Sequence, residues 1–374
     1  MIKILFFISG LSEGGAEKVL LNLVNNMDQK KFEITVQTID KYDPSQYLSK
    51  GIRYKVVNRC KTKVGKKIFS YLFRLCAELK VAYRLFVRDD YDIEVAYLET
   101  APTKIIAQST NRKAVKLAWV HCDLSIKEGM KDSVEKVRKQ YKKFDKIICV
   151  SEDVKIGFHK VYGEDLNNVV LHNVIDEKEI FIKADKPLEW KEMSEGKRLV
   201  AVGRLTKQKN FAYLIETCKK LKEKGYKIHL NILGEGPERM NLEKQIEAMS
   251  LNDVVTLRGF VDNPYPWMKK ADIIVCSSSY EGISTVVQEA LILGKTVVTT
   301  MCTGMKELLG NSEYGIIAND GLVDALQRVL DSPALEQHYS IAAKIRGMDF
   351  YKSKIVRETE MFFEESYRKK KMEP

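Results

Sequence analysis

Tyr280-Glu281-Gly282-Ile283-Ser284, continuing to Gln288-Glu289-Ala290-Leu291-Ile292-Leu293-Gly294, follows directly on the run Asp272-Ile273-Ile274-Val275-Cys276. The run reads as a buried parallel strand, and the spacing of Val286, Val287, Ala290 and Leu291 predicts a helix beginning near Ser284. Glu281 is thereby placed in the loop at the carboxyl edge of a sheet, with Glu289 about two helical turns further on. Backbone amides of Ile283, Ser284 and Thr285 would open into the same crevice, where unpaired N–H groups and the helix dipole favour a phosphate. A carboxylate beside a phosphate is repelled unless it holds something else, and sugar hydroxyls suit it. The pattern points to a sugar nucleotide. Read alone, both glutamates also fit ordinary solvated positions, where Glu usually lies.

Working outward, strand-like runs alternate with helical stretches along both halves of the chain. In the first half they are Ile2 to Ile8, Ile34 to Ile39, Tyr54 to Val57, Ile93 to Leu98, Leu117 to Val120, Ile147 to Val150 and Val169 to Leu171. In the second they are Leu199 to Val202, Ile228 to Leu233, Val254 to Leu257, Ile273 to Cys276, Thr296 to Thr299 and Gly315 to Ile317. Near-continuous Val and Ile runs separated by helices are what a parallel sheet covered on both faces requires. The expectation is an α/β protein of two doubly wound, Rossmann-like domains. The charged stretch from Glu177 to Lys197, with Pro187, is the linker candidate.

Composition is consistent with that architecture. The 374 residues, 45% of them apolar, suffice for two cores of ordinary size. No uncharged apolar run approaches the roughly 18 residues that span a bilayer. Met1 to Leu11 could pass for a very short signal peptide, but Ser12-Glu13-Gly14-Gly15 is a poor cleavage region and leads into a helical pattern. Seven cysteines without a Cys-x-x-Cys pair fit a reducing compartment and argue against a disulfide or zinc framework. A cytoplasmic location is expected.

Each half opens with a strand and a loop of telling composition. After the first strand, Gly14 and Gly15 remove side chains where a ligand could touch backbone. The loop is not a Gly-x-Gly-x-x-Gly fingerprint, and a plain tight turn is the alternative. After the first strand of the second half comes Gly203-Arg204-Leu205-Thr206-Lys207-Gln208-Lys209. Arg204 could hold a diphosphate bidentately and Lys209 as a point charge, although in isolation both read as solvated surface residues.

Taken together these residues resemble the retaining glycosyltransferases of the GT-B group called family 4 (glycosyl transferases group 1). The resemblance runs through Gly14-Gly15-Ala16-Glu17, Trp119-Val120-His121, Val150-Ser151-Glu152, His172-Asn173-Val174-Ile175-Asp176, Gly203-Arg204 with Lys209, Gly234-Glu235-Gly236-Pro237, and Glu281 to Glu289 with seven residues between. It implies a GT-B fold: an acceptor-binding domain over residues 1–185, a donor-binding domain over 186–345 facing it across a cleft, and a helix over 346–374 packing back on the first.

The resemblance also assigns roles. Arg204 and Lys209 would bind the donor diphosphate and stabilise the departing nucleotide. Glu289 would hold the ribose hydroxyls, and Glu281 the hydroxyls of the transferred sugar. Gly14, Gly15, Gly234 and the amides of Ile283, Ser284 and Thr285 would line the donor site, with His121 helping to position sugar or diphosphate. Front-face displacement with retention is implied, driven by cations aimed at charge on the leaving phosphate, with no metal cofactor required. Ile283-Ser284-Thr285 departs from many relatives, which carry Phe or Leu and then Gly or Pro there, and leaves the sugar open.

The net charge of +11 calls for a partner. The basic residues are not interleaved with an aromatic platform or a groove-reading helix, so nucleic acid is not expected. From Lys61 to Arg88 there is instead a basic amphipathic stretch. Ile68, Leu72, Leu75, Leu79, Ala82 and Phe86 would form one apolar stripe, with Lys63, Lys66, Arg74, Arg84 and Arg88 on the opposite side and Phe73 beside those cations. Such a face suits anionic lipid; a domain helix with its apolar stripe inward and a solvated basic face is the alternative.

The expectation is a peripheral enzyme on the inner face of the cell membrane. It would transfer sugar from a nucleoside-diphosphate donor, uridine-based by expectation, to a lipid-linked saccharide in surface polysaccharide assembly. A soluble transferase with a small acceptor, and a basic nucleotide-binding protein without turnover, are the alternatives.

Overall fold

The computed structural model describes residues 1–11, 15–43, 47–125, 134–188 and 196–372. Two compact units divide the chain: Met1–Val174 with the C-terminal residues from Lys352 onward, and Ile175–Tyr351.

The first unit holds seven strands, β1 (Ile2–Ile8), β2 (Phe32–Thr38), β3 (Arg53–Val56), β4 (Ile93–Ala96), β5 (Val115–Val120), β6 (Lys146–Cys149) and β7 (Asn168–Val170). They form one parallel sheet in the order β3-β2-β1-β4-β5-β6-β7. Ile4 to Ile8 of β1 are fully buried because the strand lies mid-sheet with helices on both faces. The second unit repeats the plan with β8 (Lys197–Val202), β9 (Ile228–Leu233), β10 (Val255–Gly259), β11 (Ile273–Cys276), β12 (Thr296–Thr300) and β13 (Ile316–Ala318), parallel in the order β10-β9-β8-β11-β12-β13. In each sheet the order reverses at its first strand. The β1/β4 and β8/β11 junctions are therefore the switch points at which open α/β sheets bind ligands.

The chain leaves the second unit at Tyr351, and the helix Lys352–Met372 buries Ile355, Val356, Thr359 and Phe363 within the first. Its Phe363 ring lies 6.0 Å from that of Phe6 on β1, and Lys370 pairs with Asp145 at 2.8 Å.

Two expectations are corrected. The stretch from Glu177 to Lys197 is not wholly a linker, because it contains the helix Glu177–Ala184, capped by Asp176, whose side chain accepts from the Glu179 amide at 3.0 Å. Ile180 and Ala184, one turn apart, give that helix a buried side, so the unit boundary precedes it and does not fall after residue 185. Residues 189–195 of the stretch lie outside those described.

The second correction concerns Lys61 to Arg88. The stretch breaks at Lys80, which adopts a left-handed φ of 60°, into the helices Lys63–Glu78 and Ala82–Phe86. The longer helix is turned the other way from expectation. Phe73 is buried at 7% exposure, stacked on Phe69 at 5.7 Å and beside Phe86 at 5.4 Å. Ile68, Leu72, Leu75 and Leu79 are instead exposed, at 57, 50, 44 and 64%. Three phenyl rings that can pack mutually displace smaller aliphatic side chains from the core contact, because ring burial and ring–ring geometry together outweigh them. Lys63, Lys66, Arg74, Arg84 and Arg88 are exposed as expected, and Ala82 is buried.

Candidate active site

At the second switch point β8 and β11 are in register only at Ile273↔Leu199 and Ile274↔Val200, and beyond that their carboxyl ends lead into separate loops. The two loops are then laced together. Ser277 Oγ donates to the Lys209 carbonyl at 2.7 Å, the Ser279 amide to the Gln208 carbonyl at 2.8 Å, and Gln208 Nε2 to the Tyr280 carbonyl at 2.9 Å. These bonds bring Lys209 Nζ to 2.5 Å from Glu281 Oε1, and Ser278 Oγ donates to the same oxygen at 2.7 Å. Burial alone pushes the Lys209 ammonium down, and the Glu281 carboxylate more than offsets it, so the pKa lies above the ordinary lysine value.

Arg204 lies on the same β8 loop. The loop after β9 presses against it backbone to backbone: Leu205 N donates to the Glu235 carbonyl at 2.9 Å and Glu238 N to the Leu205 carbonyl at 3.0 Å. A Cβ at Gly234 would fall 1.9 Å from the Gly203 carbonyl oxygen, and one at Gly236 would fall 2.4 Å from that of Leu205. Glycine is required at both for the loops to close. The Arg204 side chain is exposed and has no ion pair among the described residues, which leaves the guanidinium available to an anion.

The helix Thr285–Ile292 begins where the sequence places it. Ser284 is its N-cap, accepting from the Val287 amide at 3.4 Å, and Ile283 and Ser284 are buried with Thr285 partly so. One turn in, the carboxylate of Glu289 is buried and accepts a hydrogen bond from Tyr265 Oη at 2.9 Å. Burial, and then Glu289 itself, push the Tyr265 phenol up, so it remains a donor. Arg204, Lys209, Glu281, Glu289 and the helix start thus share one sheet edge, with cationic, hydroxyl-accepting and amide groups together.

In the first unit His121 follows β5. Its ring packs between Tyr97 at 4.8 Å and Trp119 at 6.2 Å, and its Nε2 is buried without a partner among the described residues. Burial pushes the imidazole down to about 4, against the opposing pull of Glu99 and a hydrogen bond with the Tyr97 backbone. The ring is therefore neutral at pH 7. Glu99 fixes the turn, its Oε1 accepting from the backbone amides of His121 at 2.6 Å and Cys122 at 3.2 Å. Gly15 is the first residue of the helix Gly15–Asn26, whereas Gly14 lies outside the described residues.

Tyr265, Ser278, Tyr97 and Glu99 escaped the sequence reading. Glu99 carried a weak signal, an acid just beyond the run Ile93 to Leu98. Tyr265 carried none, because its partner is twenty-four residues away.

Two family models tile the chain in order: Glycosyltransferase Family 4 matches residues 13–179, and Glycosyl transferases group 1 matches residues 183–346. The chain belongs to the family 4, group 1 glycosyltransferases. Among family relatives, a Campylobacter jejuni N-acetylgalactosaminyltransferase, named for transfer to N-acetylgalactosamine-N,N'-diacetylbacillosaminyl-diphospho-undecaprenol, is 34% identical over 50% of this chain. The match spans 51% of that protein, so the chain covers about half the length of this relative. The amylovoran biosynthesis glycosyltransferase AmsD of Erwinia amylovora is 23% identical over 94% of this chain and 96% of its own. Among solved structures, Anabaena HepE in complex with UDP superposes with a TM-score of 0.77 at 17% identity, over 97% of this chain and 100% of that one. That likeness establishes the fold. Among the described residues no helix is long and apolar enough to cross a membrane.

Proposed function

We propose that this protein transfers a sugar, with retention, from a uridine diphosphate donor to a lipid-linked saccharide in surface polysaccharide assembly. The observation that carries the reading is the grouping of Arg204, the Lys209–Glu281 pair, Glu289 and the start of the helix Thr285–Ile292 at the second switch point. Beyond its base, a nucleoside diphosphate sugar has three parts, and each has a counterpart there. The two cations take the diphosphate, Glu289 takes the ribose hydroxyls, and Glu281, once the donor draws Lys209 toward phosphate, takes hydroxyls of the sugar. In the first unit His121, neutral and with Nε2 unpaired among the described residues, offers one further hydrogen bond to a ligand.

The anomeric carbon–oxygen bond breaks with its electron pair going to the donor phosphate. The acceptor hydroxyl attacks from the same face and gives its proton to that phosphate oxygen. Arg204 and Lys209 stabilise the developing charge, so a metal ion is not needed. The acceptor assignment draws on the diphospho-undecaprenol named for one relative and the polysaccharide named for another.

The exposed aliphatic row of the helix Lys63–Glu78, with Lys63, Lys66 and Arg74 exposed on the same helix, would rest the enzyme on the inner leaflet. The deciding experiment offers a panel of nucleotide sugars and lipid-linked saccharides and reads the anomeric configuration of the product by NMR. Transfer with retention is expected; an inverted linkage, or no transfer from any uridine donor, rejects the reading.

A further inference from the structure

In the first unit a cavity of about 590 Å³ lies between the turn Asp40-Lys41-Tyr42 and one flank of the helix Lys63–Glu78. Lys41 lines one side, and Lys66, Lys67 and Arg74 the other. None of these four cations has an ion pair among the described residues. Some cations elsewhere in the same unit are matched, among them Lys136 with Glu78 at 3.0 Å, Arg138 with Asp165 at 2.8 Å and Arg53 with Glu33 at 2.7 Å. The one carboxylate at the cavity, Asp40, accepts from Asn58 Nδ2 at 3.0 Å, and Ser70 Oγ is spent on the Lys66 carbonyl at 2.9 Å. Four unmatched positive charges around one hollow repel one another until an anion arrives. A group of two or more negative charges suits the site.

Two neighbours define what carries that anion. Along the helix, beside its cationic flank, Val64, Ile68, Tyr71, Leu72 and Leu75 present an exposed apolar row. At the other end, Tyr42 reaches the loop after β1, its Oη 2.6 Å from where a Cβ of Gly10 would stand. Burial and the nearby Asp40 and Glu17 push the Tyr42 phenol up, so its hydroxyl stays protonated beside the anion. The cavity thus lies between an apolar track and the carboxyl edge of the sheet. A molecule with a long hydrocarbon chain, then a phosphate-type anion, then a polar head matches that sequence of surfaces.

We propose that this cavity binds the diphosphate of the lipid-linked acceptor, the hydrocarbon following the apolar row and the saccharide pointing to the β1 loop. The proposal rests on the lipid-linked reading of the acceptor given above. A phospholipid headgroup of the membrane shares this chemistry, a phosphate ester next to an alkyl chain, and the test separates the two sources.

The full-length enzyme is titrated with farnesyl diphosphate, farnesol and inorganic diphosphate, and floated with phosphatidylglycerol vesicles. Lys41→Gln combined with Lys67→Gln removes two cavity cations and leaves the apolar row, Lys63, Arg84 and Arg88 intact. Farnesyl diphosphate should bind wild type more tightly than either fragment, and the double variant should bind it at least tenfold more weakly while still floating. UDP affinity, measured in parallel, reports that the variant is folded. Unchanged farnesyl diphosphate affinity in the variant overturns the site. Flotation lost in step with that affinity overturns the acceptor assignment in favour of a headgroup. If farnesyl diphosphate binding behaves as expected but transfer goes only to water-soluble acceptors, the site stands and the lipid-linked reading fails instead.

Discussion

Lys209 Nζ and Glu281 Oε1 neutralise each other at 2.5 Å, although the donor calls on one for phosphate and the other for sugar hydroxyls. Both side chains are largely buried, so removing either strands a charge. Lys209→Ala and Glu281→Ala should each cost on the order of 3 kcal/mol of stability, and the double variant clearly less than the sum. Arg204→Ala, at an exposed and unpaired position, should leave stability within about 0.5 kcal/mol. Both cation variants should nonetheless lower turnover by roughly a hundredfold or more. Denaturant melts of the four proteins check the cycle; strictly additive losses for Lys209 and Glu281 would show that the pair is not coupled.

The same contact separates the two glutamates. Glu281→Ala frees the Lys209 ammonium, so affinity for bare UDP should hold or rise while transfer falls. Glu289→Ala should weaken UDP itself. Tyr265→Phe removes a hydrogen bond to a carboxylate, a contact worth about 1.5 kcal/mol or more, and should weaken UDP by about tenfold through loss of Glu289 positioning. With 2',3'-dideoxy-UDP the Tyr265 and Glu289 variants should both match wild type. Titration calorimetry checks this, and a Tyr265 effect that persists without ribose hydroxyls places the residue elsewhere.

The sheet was legible because most of its strands are near-continuous apolar runs, and a central parallel strand covered on both faces has no solvent-facing side to confuse the reading. The glutamate pair was legible because a strand, a loop and an N-cap at Ser284 fix both positions locally. The helix Lys63–Glu78 was not, because it carries apolar residues on two sides. Periodicity reveals Phe69 and Phe73 as readily as Ile68 and Leu72, and only their contacts with Phe86 decide which pair turns inward. Tyr265 and Glu99 act through partners brought together by the sheet, and no spacing encodes that.

The turned helix changes what a membrane experiment should probe. Phe73→Ser opens the core and should cost about 3 kcal/mol or more, so any loss of lipid binding there reports unfolding. Ile68→Ser with Leu72→Ser lies on the exposed row and should leave stability within about 0.5 kcal/mol while reducing flotation on anionic vesicles. Reversing Lys63, Arg84 and Arg88 to Glu should abolish flotation. Salt should weaken wild-type binding, since screening acts over about 8 Å at physiological ionic strength. Normal flotation of the Ile68, Leu72 variant removes the helix from the membrane assignment.

His121 makes the fold sensitive to acid. Its imidazole is held down to about 4 by burial, whereas in the unfolded chain it titrates at the ordinary value of 6.5. Above pH 6.5 it is neutral in both states and contributes no pH dependence. Between 6.5 and 4 the unfolded chain binds a proton that the folded protein refuses, so stability falls as pH falls through that window, by about 3 kcal/mol in all. His121→Gln should flatten this part of the profile. Glu99→Gln removes the charge that opposes the depression, so the folded imidazole should titrate lower still and the loss should continue below pH 4. Urea midpoints from pH 7 to 4 check both, with imidazole NMR shifts giving the folded pKa directly. A His121→Gln profile that keeps the wild-type slope between 6.5 and 4 would assign the acid sensitivity to another group.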